Sequence, residues 1–92
     1  MKEPRGIKTR RILNALLAGK VLTPFDANDI AKTNEGTRII RKLRENLPIL
    51  DVQVAGELYH KYWLSRDYIN AWREGRLVLV RNGVEINPHM PL

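Results

Sequence analysis

A chain of 92 residues with 43% hydrophobic side chains and a net charge of +6 can form one domain with one modest core. The absence of cysteine excludes disulfides and thiolate metal sites. The chain contains neither an apolar run long enough to span a bilayer nor the apolar core of a signal peptide, so we expect a cytoplasmic protein with no membrane partner.

The positive charge is concentrated towards the N-terminus. Residues 1–20 contain six Lys and Arg against one Glu, whereas residues 49–92 contain five basic and five acidic residues. Such a basic field attracts a polyanion, for example nucleic acid. Residues 1–6 are predicted to form a flexible basic arm. Arg10 and Arg11 could then follow a nucleic-acid backbone or enter an adjacent minor groove, although a disordered basic tail would have the same composition.

The first helix is predicted over residues 7–18. Apolar residues recur there with the period of an α-helix, and Gly19 supplies a C-terminal stop. The face expected to be buried consists of Ile12, Leu13, Leu16 and Leu17.

A second, shorter helix is predicted over residues 24–32. Thr23 offers an N-cap hydroxyl, Pro24 occupies the first helical position, and Asp26 lies three residues after the cap. Asp29 is interpreted as solvated helix surface. The side chains expected to be buried are Phe25, Ala27, Ile30 and Ala31.

The third helix, predicted over residues 34–47, gives the strongest functional signal. Asn34 is expected to cap it and Pro48 to end it. Gly36 falls on its apolar stripe, where a missing side chain would let the second and third helices approach. Two short helices separated by a few polar residues have the spacing of a helix-turn-helix. The full stripe comprises Gly36, Ile39, Ile40, Leu43 and Leu47.

The opposite face of the third helix is basic. We expect Arg38, Arg41 and Lys42 to enter the DNA major groove, because arginine can bond both acceptors of a guanine edge and lysine binds phosphate. Asn34 and Thr37 could reach a base or a backbone oxygen, and Arg44 at the flank is expected to contact phosphate. The alternative interpretation of these six residues is an ordinary solvated helix face.

After the third helix the apolar period changes to two, which predicts a β-hairpin over residues 49–64. A three-residue loop would place Leu50 opposite Tyr62 and Asp51 opposite Lys61, whereas a two-residue loop would place Leu50 opposite Lys61. The first register is favoured because it separates apolar from polar side chains and pairs opposite charges. A hairpin in this position is the wing of a winged helix, and Lys61 is expected to contact phosphate there.

The C-terminal region adds a helix and a second hairpin. Ser65 is expected to cap a helix over residues 66–74 that Gly75 ends, and residues 77–80 and 84–86 are expected to pair across an Asn82-Gly83 turn. Residues 88–92 should form a loose tail. One winged helix offers few base contacts, so a homodimer through residues 65–87 is expected to supply a second reading helix. Its candidate interface is the stripe of Tyr68, Ile69 and Trp72 with strand 77–80.

The motifs TPFDANDIA, RIIRKLRENLPI and YHKYWL resemble those of short helix-turn-helix proteins encoded by bacteriophages and prophages. The resemblance covers about residues 9–64. It implies a winged helix-turn-helix domain, at residues 7–64, that binds double-stranded DNA, and more loosely a small phage or bacterial regulator. The expected fold is therefore α+β: three helices and a hairpin wing, followed by an extra helix and a short hairpin.

No pattern indicates catalysis. His60 and His89 lack partners at catalytic or metal-ligand spacing, so we expect no enzyme activity, metal, cofactor or small-molecule substrate. His60 is interpreted as a half-buried strand residue or a phosphate donor. The expected function is transcriptional regulation through sequence-specific DNA binding. Two alternatives remain open, namely an excisionase-like factor that bends DNA and a winged-helix adaptor that binds another protein.

Overall fold

The computed structural model describes residues 6–81 and 84–86. The predicted turn at residues 82–83, the tail at residues 88–92 and all of the predicted arm except Gly6 lie outside them. None of the helices within the described ranges has the length and apolarity needed to cross a membrane. In chain order the elements are α1 (Ile7–Leu17), α2 (Pro24–Ala31), α3 (Gly36–Arg44), β1 (Ile49–Gln53), β2 (His60–Leu64), α4 (Arg66–Arg73), β3 (Leu79–Arg81) and β4 (Val84–Ile86).

The α+β class is confirmed, with four helices and antiparallel pairing of β1 with β2 and of β3 with β4. One apolar core joins α1, α2, α3, the β1–β2 hairpin, α4 and β4. The predicted buried face of α1 is confirmed, because all four of its side chains are inaccessible. Gly19 follows α1 with a φ of 85°, a conformation that favours glycine and ends the helix there.

The predicted start of α2 is also confirmed. The Thr23 hydroxyl accepts a hydrogen bond from the Asp26 amide at 3.1 Å, and the Asp26 carboxylate accepts one from the Thr23 amide at 3.0 Å. The prediction that Phe25 is buried is wrong, since Phe25 is 68% exposed. The buried side of α2 runs through Ala27 and Ala31, and Phe25 lies about 200° around the helix from Ala27.

The close approach of α2 and α3 depends on Gly36. A Cβ at this position would lie 2.7 Å from the Ala27 Cβ and 2.7 Å from the Asn28 backbone nitrogen. The Gly36 amide donates to the Asn28 side-chain oxygen at 2.8 Å. The first turn of α3 is thus capped by a side chain of α2, and the glycine is required by the space available.

The predicted ends of α3 need correction. Asn34 does not cap the helix: Glu35 occupies the N-cap position without a side-chain capping bond, and the Asn28 side chain accepts from the first helical amide. At the other end, α3 stops at Arg44, and a turn carries the chain to Pro48. Leu47 lies in this turn and is buried, so the apolar stripe continues beyond the end of the helix.

Both proposed registers of the first hairpin are wrong. Asp51 lies opposite Tyr62, and Val52 lies opposite Lys61. The Val54 amide donates to the Tyr59 carbonyl at 3.1 Å, which leaves four residues in the loop, and Gly56 adopts a φ of 79° there. This register turns Ile49, Tyr62 and Leu64 into the core and leaves Leu50 and Val52 exposed.

A short segment before α2 extends this hairpin. Leu22 and Tyr62 form an antiparallel bridge with two backbone hydrogen bonds of 2.7 Å, so Leu22 lies beside β2 as a third extended segment. Leu22 and Tyr62 both point into the core. The neighbouring Val21 therefore faces the same side as Lys61 and Trp63, away from α3.

The C-terminal elements are packed against the rest of the chain. Ser65 occupies the N-cap position of α4, although its side chain makes no capping bond, and α4 ends before Gly75, which has a φ of 75°. The indole N–H of Trp72 donates to the Ile86 carbonyl at 2.7 Å, and Trp72 and Ile86 are both buried. The apolar stripe of α4 is therefore covered within the chain.

Candidate nucleic-acid interface

The solvent face of α3 carries its basic side chains. Arg38 and Lys42 are 83% and 77% exposed, and Arg41 is exposed as well. Arg38 pairs with Glu35 at 3.2 Å, and Lys42 pairs with Glu45 at 3.4 Å. Exposed pairs of this kind contribute at most about 1 kcal/mol, so a phosphate or a base edge can replace either acid at small cost.

A cleft of about 460 Å³ separates α3 from the inner face of the β1–β2 hairpin. Thr37, Arg41 and Arg44 line it from α3, and Tyr59 and His60 line it from the hairpin. We call this the inner cleft. Its remaining lining residues are Pro24, Ile40, Asp51, Leu58 and Tyr62.

One carboxylate organises the side of the inner cleft. The Arg44 guanidinium donates to Asp51 at 2.8 Å, and His60 Nδ1 lies 2.6 Å from the other Asp51 oxygen. Because an ionised carboxylate only accepts hydrogen bonds, His60 Nδ1 must carry the hydrogen. The bond from His60 and the bond from Arg44 lower the pKa of Asp51 below its ordinary value. Asp51 thus joins α3 to both strands and fixes two donors beside the cleft.

His60 is half-buried on its strand, as predicted, with its ring stacked on Tyr62 at a centroid distance of 6.1 Å. Sequence reasoning missed Asp51. In the register favoured from the sequence, Asp51 would have faced Lys61, and its actual partners depend on the four-residue loop. The alternating pattern of residues 49–54 gave no signal for that loop.

An aromatic contact closes one end of the inner cleft. The rings of Phe25 and Tyr59 meet edge to face, with centroids 5.6 Å apart and planes at 78°. Leu58 projects beside them from the hairpin loop and is exposed. The start of α2 and the hairpin are therefore in contact through the rings of exposed Phe25 and partly exposed Tyr59.

The residues predicted to bind DNA lie in three places. Thr37, Arg41 and Arg44 share the inner cleft, with Arg38 and Lys42 on the adjoining solvent face and the exposed Asn34 just before α3. Lys61 faces the opposite side of the hairpin and lines a different groove. Arg10 and Arg11 are on α1, where Arg10 donates to Asn14 at 3.0 Å and Arg11 lines a hollow next to Lys20.

Comparison with protein-family models, curated proteins and solved structures gave no match to this chain.

Proposed function

We propose that this chain is a winged helix-turn-helix protein that binds double-stranded DNA in a sequence-specific manner. The observation that carries the proposal is the exposed basic face of α3 beside the inner cleft. The major groove, about 12 Å wide, admits one α-helix. The nine residues of α3 span about 13 Å, so the helix can place side chains on a few successive base pairs.

The side chains of α3 would contact different parts of the DNA according to their positions on the helix. Arg38, Arg41 and Lys42 face outward and would meet base edges and the flanking phosphates. Arg44 keeps free N–H groups beyond the one that bonds Asp51, because a guanidinium has five. With the Thr37 hydroxyl it would bind a phosphate that enters the inner cleft, and the β1–β2 hairpin would act as the wing.

A homodimer remains part of this proposal, with a narrower choice of interface. Ile69 and Trp72 are buried within the chain and cannot form it. Val78 and Val80 in the same C-terminal region are exposed and could contribute. Two reading helices about one DNA turn apart would give the selectivity that a small transcriptional regulator needs. A sedimentation coefficient that stays constant across protein concentration, with and without DNA, would rule this arrangement out.

Selection of bound duplexes from a random pool tests the proposal directly. We expect enrichment of a defined motif. A dimer would give two half-sites separated by about 10 base pairs. Four to six phosphate contacts would make the logarithm of the association constant fall with the logarithm of salt concentration, at a slope of roughly −4 to −5. An unenriched pool together with a nearly flat salt response would refute DNA binding.

A further inference from the structure

A second groove, of about 540 Å³, lies on the outer face of the β1–β2 hairpin. Val52, Lys61 and Trp63 line it from the strands. One face of α4, at the spacing of successive helical turns, lines it from the other side through Arg66, Asn70 and Arg73. We call this the outer groove. Because alternate strand residues point to opposite sides, Val52 and Lys61 face away from Asp51 and His60.

The charge of the outer groove has one sign. Among the described residues, its lining includes three cations, Lys61, Arg66 and Arg73, and no Asp or Glu. All three are exposed, and Arg73 makes a long contact of 3.5 Å with the Leu17 carbonyl. The described acids of α4 and its C-cap, Asp67 and Glu74, do not line the groove. A ligand for this surface should therefore carry negative charge.

The same surface is also apolar. Val21 and Val52 are each 52% exposed, and Trp63 lies partly exposed with them on the outer face. The strip is continuous across three extended segments because Leu22 pairs beside β2. A DNA backbone would leave this strip in water, whereas apolar side chains of a peptide would cover it and gain the hydrophobic free energy of burial.

We propose that the outer groove docks a short acidic amphipathic segment of another protein. Its carboxylates would meet Lys61, Arg66 and Arg73, and its apolar side chains would cover Val52 and Trp63. The inner cleft opens on the other side of the hairpin, so this partner and DNA could bind at the same time. The proposal does not depend on DNA binding by α3.

The two tryptophans provide an internal control for the test. Trp63 lines the outer groove, whereas Trp72 is buried with its indole N–H bonded to Ile86. Random peptides of about 12 residues, displayed and selected on the full chain, should be enriched in sequences that combine Asp or Glu with apolar residues. A synthetic copy of the enriched peptide should shift the Trp63 indole signal in ¹H–¹⁵N spectra and leave that of Trp72 in place.

Charge reversal then separates the outer groove from α3. Arg66→Glu with Arg73→Glu should weaken peptide binding about tenfold or more, as expected for two lost charge contacts. Arg38→Glu with Lys42→Glu changes the net charge equally and should leave peptide affinity within about threefold. Val52→Thr keeps the β-branched shape and removes apolar contact, so it should weaken binding even if the double variant folds poorly.

Three kinds of result would overturn the proposal. The first is the selection of no peptide, or of peptides without acidic residues. The second is a Trp63 signal that does not move when the enriched peptide is added, or an affinity that the groove variants leave unchanged. The third is a DNA duplex of about 12 base pairs that shifts the Trp63 signal as far as the peptide does, because the groove would then be a nucleic-acid site.

Discussion

The two faces of the β1–β2 hairpin are both basic, but they differ in what surrounds the cations. In the inner cleft, Asp51 holds Arg44 and His60 in place, and Leu58 and Tyr59 line the cleft with them. In the outer groove, no described acid lines the surface with the cations, and exposed Val52 and partly exposed Trp63 line it with them. Net charge alone therefore does not identify the partner of either face. The two surfaces differ in Asp51, whose carboxylate is bonded to Arg44 and His60 beside the inner cleft, whereas no described acid lines the outer groove.

The first prediction, which has the greatest magnitude, compares DNA binding by variants of α3 with DNA binding by variants in the region of α4. Replacing Arg38, Arg41 and Lys42 by alanine should weaken DNA affinity by about a hundredfold or more, because each lost contact contributes on the order of 1 kcal/mol or more. The matched variant replaces Arg66, Arg73 and Arg76, on and just after α4, by alanine. It therefore removes the same number of positive charges. It should weaken DNA affinity by less than about fivefold. Fluorescence anisotropy with the selected duplex measures both, and equal losses would show that the two faces do not differ in this respect.

The next prediction concerns the packing that positions α3. Gly36→Ala should lower the free energy of unfolding by about 1–3 kcal/mol, because the new Cβ meets the Asn28 backbone nitrogen. Helix propensity alone predicts the opposite sign, a gain of about 1 kcal/mol. Urea unfolding decides between them. The variant should also weaken DNA binding, because α3 must move, while the enriched peptide should still shift the Trp63 signal.

Asn28→Ala provides the control for this prediction. It removes the side chain that caps Gly36 and should cost about 1 kcal/mol by itself. Combined with Gly36→Ala it should not restore stability, because the contacts with the Ala27 Cβ and the Asn28 backbone remain. A double variant as stable as Asn28→Ala alone would contradict the backbone clash.

Trp72→Phe perturbs the packing of α4, on the side of the outer groove. It leaves the buried Ile86 carbonyl without its indole donor and should cost about 1–3 kcal/mol in urea unfolding. Because α4 forms one wall of the outer groove, peptide affinity should fall in the same variant. DNA affinity should remain within about threefold, since the hydrogen bond that is lost joins α4 to β4 and does not involve α3. A variant that lost DNA binding while keeping peptide binding would invert the assignment of the two faces.

Sequence patterns predicted the features of this fold that depend on neighbours along the chain. The Thr23–Asp26 capping box and the stop at Gly19 need only residues a few positions apart. Gly36 could also be placed, because it interrupts the apolar stripe near the start of α3. These features contain enough local information to be recognised before any tertiary contact is known.

The features that were not predicted depend on residues far apart. Glu35 and not Asn34 is the N-cap of α3, and the side chain that bonds the Gly36 amide is Asn28, which the close packing of α2 on α3 brings there. The hairpin register depended on a four-residue loop and on Leu22 pairing with Tyr62. The same reason applies to the inner cleft. Its α3 side follows from helical periodicity, whereas the positions of Asp51 and His60 depend on the register of the β1–β2 hairpin.

The smallest expected effect isolates Asp51, the acid that distinguishes the inner cleft. Its pKa is lowered in the folded protein by the bonds from His60 and Arg44, so folding favours the ionised form. This contribution is complete above the unfolded pKa, near 3.8, and is lost as the pH falls through the lower folded value. The advantage in melting temperature of wild type over Asp51→Asn should therefore shrink as the pH falls below about 4. Two melting curves that run parallel down to pH 2.5 would mean that the carboxylate does not hold Arg44 and His60, and the inner cleft would then lose the feature that separates it from the outer groove.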